Sequence, residues 1–519
     1  MMRMKTKYFY LFWFIALLPL MILRDYTPNN ELRYLSIIDE ALHNGNFFTF
    51  TLDGEIYADK PPLSFWLMML GKTVLGGHRI WYLSLLSFIP ALVVLVVMEK
   101  WMRREKSFPY QPDALLMLMT GGFFLALTIT IRMDMLMVMF ITLSLYTFFK
   151  IYSGEGRKRD SYLFPSYLFL ALFSKGPVGI LVPLLSTLLF LLYRGKIGIW
   201  KQYWGWRTWL ILLLGCGIWF TGVYIEAGEV YLNNLLVHQT VGRGVNAFHH
   251  KSPFYYYAIA IWYSLAPWMF LSVGLIIAGV VRKKIQTETE KFFLTVILTT
   301  LVMLSLISSK LAVYMLPAIP FMIYLSAMLL NKFDEKNTWL RFSVALPALI
   351  FAVTLPALFY IRKIDEISYI AVPLVYVAAT VLSLGGVTVL FLLFREKALR
   401  SSIRVMTFSL LLTIFIAGLA MPQLNPYMGW SKLCGEAIRI AEEKGISEYY
   451  VYKISRPGSM DVFLNKEVIV ASEEDIVNQR VSGKLLLLSE KAVLRNNDIQ
   501  AAIMGKEQYK TGPYLIVIF

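Results

Sequence analysis

Apolar runs of roughly 18 or more residues recur from the N-terminal region to about residue 421, and this pattern constrains the fold more than any other feature of the chain. Inside hydrocarbon every backbone N–H and C=O must be paired within the chain, so such runs are helices. The runs fall at 8–23, 79–100, 113–131, 134–152, 162–174, 177–193, 208–225, 256–281, 292–308, 313–330, 339–361, 369–394 and 403–421. The expected fold is an all-α polytopic membrane protein with about 13 transmembrane helices. Charged residues make up 16% of the chain, against about 25% in soluble domains. The net charge of +16 would suggest nucleic acid in a soluble protein. Here the basic residues gather in short loops (GEGRKRD, YRGK, VRKK, NKFDEK and FREKALRSSIR), all on one side under this count, as the positive-inside rule requires. Nucleic-acid binding is therefore set aside. Arg3, Lys5 and Lys7 place the N-terminus in the cytoplasm, and the first run reads as a retained span because no small-residue cleavage site follows it. Cys216 and Cys434 lie far apart and imply no disulfide framework.

Composition changes after Pro422. Strand-like stretches at Tyr449–Ile454, Glu467–Ala471, Lys484–Leu488 and Tyr514–Ile518 alternate with helix-like ones such as Cys434–Lys444. The expected division is a transmembrane part, 1–421, with an external first loop at 24–78, followed by a small external α/β domain, 422–519.

The first loop concentrates the chemistry. From Pro28 to Trp66 it is rich in Asp, Glu, Asn, Lys and Arg in a chain that is 57% hydrophobic. Polar groups held beside a bilayer core are costly, which makes them functional candidates. A short interfacial helix is expected over its first part, ended near Gly45, and Pro61–Leu75 is too short to cross. Other polar groups reach the same external face: Arg132–Asp134, Ser174–Pro177, the loop from Glu226 to Ser252, and Ser308–Lys310. External loops should be poor in basic residues, so Arg33, Lys60, Lys175, Arg243 and Lys310 are candidates for an anionic lipid head. Each could equally be a snorkelling side chain or half of a local ion pair. Glu31 and Asp134 are the candidate catalytic carboxylates, although Asp134 also suits a helix N-terminus on electrostatic grounds alone. Asp39 and Glu40 read as a solvated helix face. Three of the five histidines, His238, His249 and His250, share one loop. With Asp59 and Glu31 they could hold a divalent metal such as zinc, but no H-x-x-x-H or C-x-x-C spacing supports this.

The motifs N-E-L-R-Y (30–34), Y-A-D-K-P-P-L (57–63), R-M-D (132–134), S-K-G-P-V-G (174–179), H-Q-T-V-G-R (238–243), H-H-K-S-P-F-Y-Y-Y (249–257) and S-K-L-A-V-Y-M-L-P-A-I-P (309–320) occur in this order on one face. In them the chain resembles the polyprenyl-phosphate-dependent glycosyltransferases of the GT-C type, in particular the lipid A 4-amino-4-deoxy-L-arabinose transferase family. The resemblance implies a bacterial inner-membrane enzyme that transfers sugar, with inversion, from undecaprenyl phosphate to an envelope acceptor such as lipid A phosphate on the periplasmic face. It implies further that Lys60 and Arg243 hold the donor phosphate with Tyr314 beside them, and that Asp59 with His238 or His250 are metal ligands. Where the family begins its first motif with Asp, this chain has Asn30, which cannot accept a proton. An acceptor phosphate is already ionised and needs little base catalysis; an acceptor hydroxyl would require Glu31 or Asp134.

Two other readings remain open. One is transfer of a hexose to a protein or cell-wall glycan hydroxyl. The other is a transporter of lipid or solute without chemistry, which should carry ionisable residues at mid-membrane. The spans keep their centres nearly free of charge, which favours an enzyme.

Overall fold

The computed structural model describes residues 6–105, 112–236 and 252–519. Eight helices among them are long and apolar enough to cross a membrane: Thr6–Leu23, Ile80–Arg104, Asp134–Tyr152, the helical stretch Ile197–Leu236, Glu288–Leu306, Thr338–Ile361, Pro373–Glu396 and Leu399–Leu419. The other five expected crossings are built differently. Two are single 16-residue helices, Asp160–Lys175 and Val178–Tyr193. The run at 113–131 is broken into Asp113–Met119 and Gly122–Ile129. That at 256–281 is broken into Tyr256–Ser264 and Met269–Val281. The run at 313–330 begins as a 3-10 turn, Ala312–Met315, before the helix Ile319–Leu330. Apolar composition marks where a helix lies but does not say whether it is continuous.

The helices bury one large apolar core. Trp101 sits within it against Tyr146, Phe149, Phe292, Phe293 and Phe321. Large apolar side chains such as Leu213 and Ile218 face outward, 69% and 68% exposed. On a soluble surface such patches would drive aggregation; against acyl chains they cost nothing.

Charged groups sit at the two ends of the bundle. At one end, buried pairs close the loops: Lys150 with Asp160 at 2.7 Å, Arg400 with Asp113 at 2.6 Å, and Lys332 with Glu290 at 2.6 Å. There the sequence T-E-T-E forms a capping box, in which the Thr287 hydroxyl accepts the Glu290 N–H while the Glu290 carboxylate accepts the Thr287 N–H.

At the other end lies the first loop. Its helix Arg33–Asn44 ends at Gly45, where φ of 72° favours a residue without Cβ. Leu63–Leu75 follows, ending at Gly76. Thirteen residues rise only about 20 Å, short of the ~30 Å hydrocarbon core. Lys72 of this helix donates to Asp39 at 2.5 Å, so Asp39 is a tie between two helices rather than a solvated face.

The C-terminal segment forms a five-stranded sheet in the order Val468–Val470, Tyr449–Tyr452, Leu485–Ser489, Tyr514–Ile518, Gln508–Thr511. The first three strands are parallel and the last two join antiparallel. Four of these strands fall where the sequence predicts them. The fifth, Gln508–Thr511, is an edge strand of mixed polarity and carries no apolar alternation. One sheet face packs on the helix Ser431–Lys444 and on the first loop, so that Ile37, Ile38, Phe65, Ile440, Val451 and Leu487 share one core. Asp25 fixes the junction by accepting hydrogen bonds from the N–H and hydroxyl of Ser431 at 2.9 and 2.6 Å.

Candidate active site at the first-loop end

Glu31 organises this end of the molecule. It is fully buried and bound by both oxygens to Arg24, at 2.6 and 2.7 Å. The same carboxylate accepts from the Thr27 N–H at 2.8 Å, the Thr27 hydroxyl at 3.1 Å and the Ile131 N–H at 2.7 Å. Five donors fill the roughly four lone-pair positions of a carboxylate. This differs from the expected catalytic role: Glu31 presents no free oxygen to an acceptor and instead clamps the first loop to the turn before Asp134. Asn30 beside it is exposed.

The clamp sets the Arg132-Met133-Asp134 turn in place. Asp134, 2% exposed at its side chain, accepts from Arg132 Nε at 3.0 Å and from Lys175 Nζ. The Lys175 ammonium also lies 4.6 Å above the ring of Tyr314, a cation–π contact. Tyr34 and Tyr314 both lie within electrostatic reach of the Arg132 guanidinium. Two helix ends, the turn before one of them and one 3-10 turn thus bring Arg132, Asp134, Lys175 and Tyr314 together, with two cations to one carboxylate. The excess positive charge in a low-dielectric setting suits an incoming phosphate.

Arg33 begins the adjoining helix and stacks near Tyr34 and Tyr57, at 5.2 and 5.9 Å from their ring centres. Its Nε is buried and has no hydrogen-bond acceptor among the described residues. Arg33 also lines a separate cleft of about 1400 Å³ between the first loop and the C-terminal sheet, with Asp39, Asp53, Arg456, Asp461 and Glu467 among its walls.

Asp59 and Lys60 are half-buried on the stretch just before Leu63–Leu75. Two residues that the sequence reading passes over hold this stretch. The Tyr231 hydroxyl donates to the Tyr57 carbonyl at 2.8 Å and accepts the Phe50 N–H at 3.0 Å. Glu226 accepts the N–H groups of Phe47, Phe48 and Thr49 at 2.9, 2.8 and 2.9 Å. Both lie on the helix Trp206–Asn233, which continues past the expected end of its span through a kink at Gly228, φ 68°. No local pattern announces them, because their partners lie more than 170 residues away.

Lys310 is set apart from the others. Its ammonium donates to the carbonyls of Ile307 at 2.5 Å and Ser252 at 3.1 Å, with the side chain 4% exposed. It seals a turn and uses two of its three donors on backbone. Arg243, His238, His249 and His250 lie outside the described residues, and with them most of the expected metal set of Asp59, His238 and His250. Among the described residues no group of three or more His, Cys, Asp or Glu could hold a metal ion.

No family model matches the chain. An uncharacterised protein of Aquifex aeolicus is 27% identical over 336 residues, 62% of this chain and 64% of its own length. An undecaprenyl phosphate-α-4-amino-4-deoxy-L-arabinose arabinosyl transferase of Shewanella sediminis is 21% identical over 355 residues, 66% of this chain and 62% of its own. The chain thus spans under two thirds of the length of these relatives. Among solved structures, ArnT from Cupriavidus metallidurans bound to undecaprenyl phosphate superposes with a TM-score of 0.77 at 18% identity, over 99% of this chain and 98% of that one. Its apo state gives 0.74. The chain has the GT-C fold. The GT-C likeness takes in the whole length, so the first loop, the helical bundle and the C-terminal sheet follow one plan, and the charged cluster stands at the end of the bundle that faces the first loop.

Proposed function

We propose that this chain is a multi-pass inner-membrane glycosyltransferase that moves a sugar, aminoarabinose-like, from undecaprenyl phosphate to an envelope acceptor such as lipid A phosphate, with inversion, on the periplasmic face. One observation carries the reading: Arg132, Lys175 and Tyr314 gather around Asp134 at one end of a lipid-facing bundle, where the phosphate of a membrane-anchored donor would arrive. The relatives' transferase activity and the undecaprenyl phosphate in the Cupriavidus ArnT structure support it.

In this reading the bond between the anomeric carbon and the phosphate oxygen breaks as an acceptor oxygen attacks from the opposite face. Negative charge grows on the departing polyprenyl phosphate. Lys175 and Arg132, with Lys60 reaching from the first loop, stabilise that charge more than they stabilise the bound donor, and this difference is what lowers the barrier. An acceptor phosphate arrives ionised, so it requires no base, which accords with Asn30 and with a Glu31 fully engaged elsewhere. For an acceptor hydroxyl, Asp134 is the carboxylate at hand once the donor phosphate competes for its cationic partners. Asp59 with His238 or His250 would hold a divalent metal such as zinc, whose charge would add to that of the cations at the departing phosphate; the two histidines lie outside the described residues.

The deciding experiment is mass spectrometry of lipid A and of envelope glycans from cells with and without the gene. Loss of a substituent on a lipid A phosphate is the expected result. Loss of a hexose from protein or cell-wall glycan would move the acceptor to a hydroxyl, and an unchanged envelope with altered solute uptake would replace the enzyme by a transporter.

A further inference from the structure

At the end of the bundle away from the site, the helices Val178–Tyr193, Met269–Val281 and Glu288–Leu306 leave a groove of about 480 Å³ between them. The first of these begins just after Lys175 and the last ends just before Lys310, so their far ends, which frame the groove, open at the opposite membrane surface. Leu189, Val280, Leu294 and Leu298 form its apolar wall, and Lys283 and Lys291 also line it, with no carboxylate in the lining. Its outer edge is laid open to lipid: Leu189 is 44% and Val280 49% exposed. The volume lies within the ~300–1,000 Å³ of ordinary small-molecule sites.

The two lysines keep capacity for a ligand. Lys283 is exposed and makes no ion pair among the described residues. Lys291 uses one donor on Glu288 at 3.3 Å. That carboxylate is already held by Arg194 Nε at 2.8 Å and by the Tyr152 hydroxyl at 2.9 Å. An ammonium has three donors.

We propose that this groove binds one anionic phospholipid of the leaflet opposite the site, its phosphate between Lys283 and Lys291 and an acyl chain along Leu189, Val280 and Leu298. The charge balance selects the class. A wall with two ammonium groups and no carboxylate attracts a headgroup of net negative charge, whereas a zwitterionic head would bring its own cation against them. The isoprenoid donor is excluded as the occupant of the mouth, since its phosphate belongs at the other membrane surface. The proposal is independent of the sugar and of the acceptor.

The test is native mass spectrometry of the delipidated full-length protein titrated with phosphatidylglycerol or phosphatidylcholine. The wild type should take its first phosphatidylglycerol about thirtyfold more readily than phosphatidylcholine, as expected for two basic side chains near the membrane surface. The double variant Lys283→Glu with Lys291→Gln should lose that preference, and Lys283→Arg should retain it. Lys158→Glu reverses an exposed charge at the same end of the bundle but outside the groove, and should also retain it. Unchanged preference in the double variant, or an equal loss in Lys158→Glu, would overturn the proposal. Thermal melting of each variant separates loss of the lipid from loss of the fold.

Discussion

Lys175 and Asp134 form a buried pair that contributes modestly to stability for what it costs to desolvate, and it lies where three segments meet. In the proposed function its value is as a preset charge pattern for an incoming phosphate, and Lys60 joins the same scheme from the loop side. Lys60→Ala should abolish sugar transfer in a membrane assay with labelled donor while the melting temperature stays near wild type; normal turnover would remove Lys60 from the site. Glu31 predicts the reverse. Replacing it by Gln breaks a buried bidentate pair and strands Arg24, which typically costs about 3–5 kcal/mol. A clear drop in melting temperature is the expected outcome for Glu31→Gln. A variant that melts normally yet fails to turn over would restore Glu31 as a base. Nothing in N-E-L-R-Y separates these roles, since Arg24 and Ile131 are brought to Glu31 only by folding.

Individual elements position the loop chemistry from a distance. The helix Trp206–Asn233 bends at Gly228, and the bend lets Glu226 and Tyr231 grip the stretch 47–57 that leads to Asp59 and Lys60. Tyr231→Phe would leave the Phe50 N–H and the Tyr57 carbonyl without this partner, each a loss of about 1–3 kcal/mol if water cannot replace it. Small misplacements of a catalytic group cost up to ~100-fold in rate. Tyr231→Phe should therefore lower kcat at least tenfold with helical content by circular dichroism unchanged, and full activity would show that the stretch is held by other means. The elements themselves were largely legible in sequence: apolar length marked the spans, and Gly45 marked the end of the first-loop helix. The interruptions within 113–131 and 256–281 carry local marks too, Gly121-Gly122 and Pro267, which the length of an apolar run passes over.

On the scale of the whole molecule, the first loop and the C-terminal sheet act as one unit above the bundle. Ser36 of the first-loop helix donates to Asp461 Oδ2 at 2.9 Å across that junction. Burial pushes the Asp461 carboxyl up from 3.8 to about 6, with the Ser36 and Val462 hydrogen bonds pulling it down and Asp39 and Asp53 adding to the rise. Because the folded state holds this proton more tightly than the unfolded chain, the contribution to stability is complete below about 3.8 and is lost as pH rises to about 6. The melting temperature should fall across that window from this group. Asp461→Asn, which keeps the shape without the charge, should flatten that part of the profile and raise stability above pH 6. An identical pH profile in the variant would mean that the junction does not titrate.

The sequence by itself determined the solvent of this protein and its layers. Runs long enough to cross hydrocarbon can only be helices there, and the alternation after Pro422 marked four of the five strands, since both signals are local in the chain. Only the tertiary structure decided which charges meet. Arg132, Asp134, Lys175 and Tyr314 converge, Glu31 and Lys310 are used internally, and Arg33 lines another cleft. Each outcome depends on contacts between residues tens to hundreds of positions apart, and spacing along the chain does not encode which of many equally charged partners a folded backbone will bring within hydrogen-bond reach.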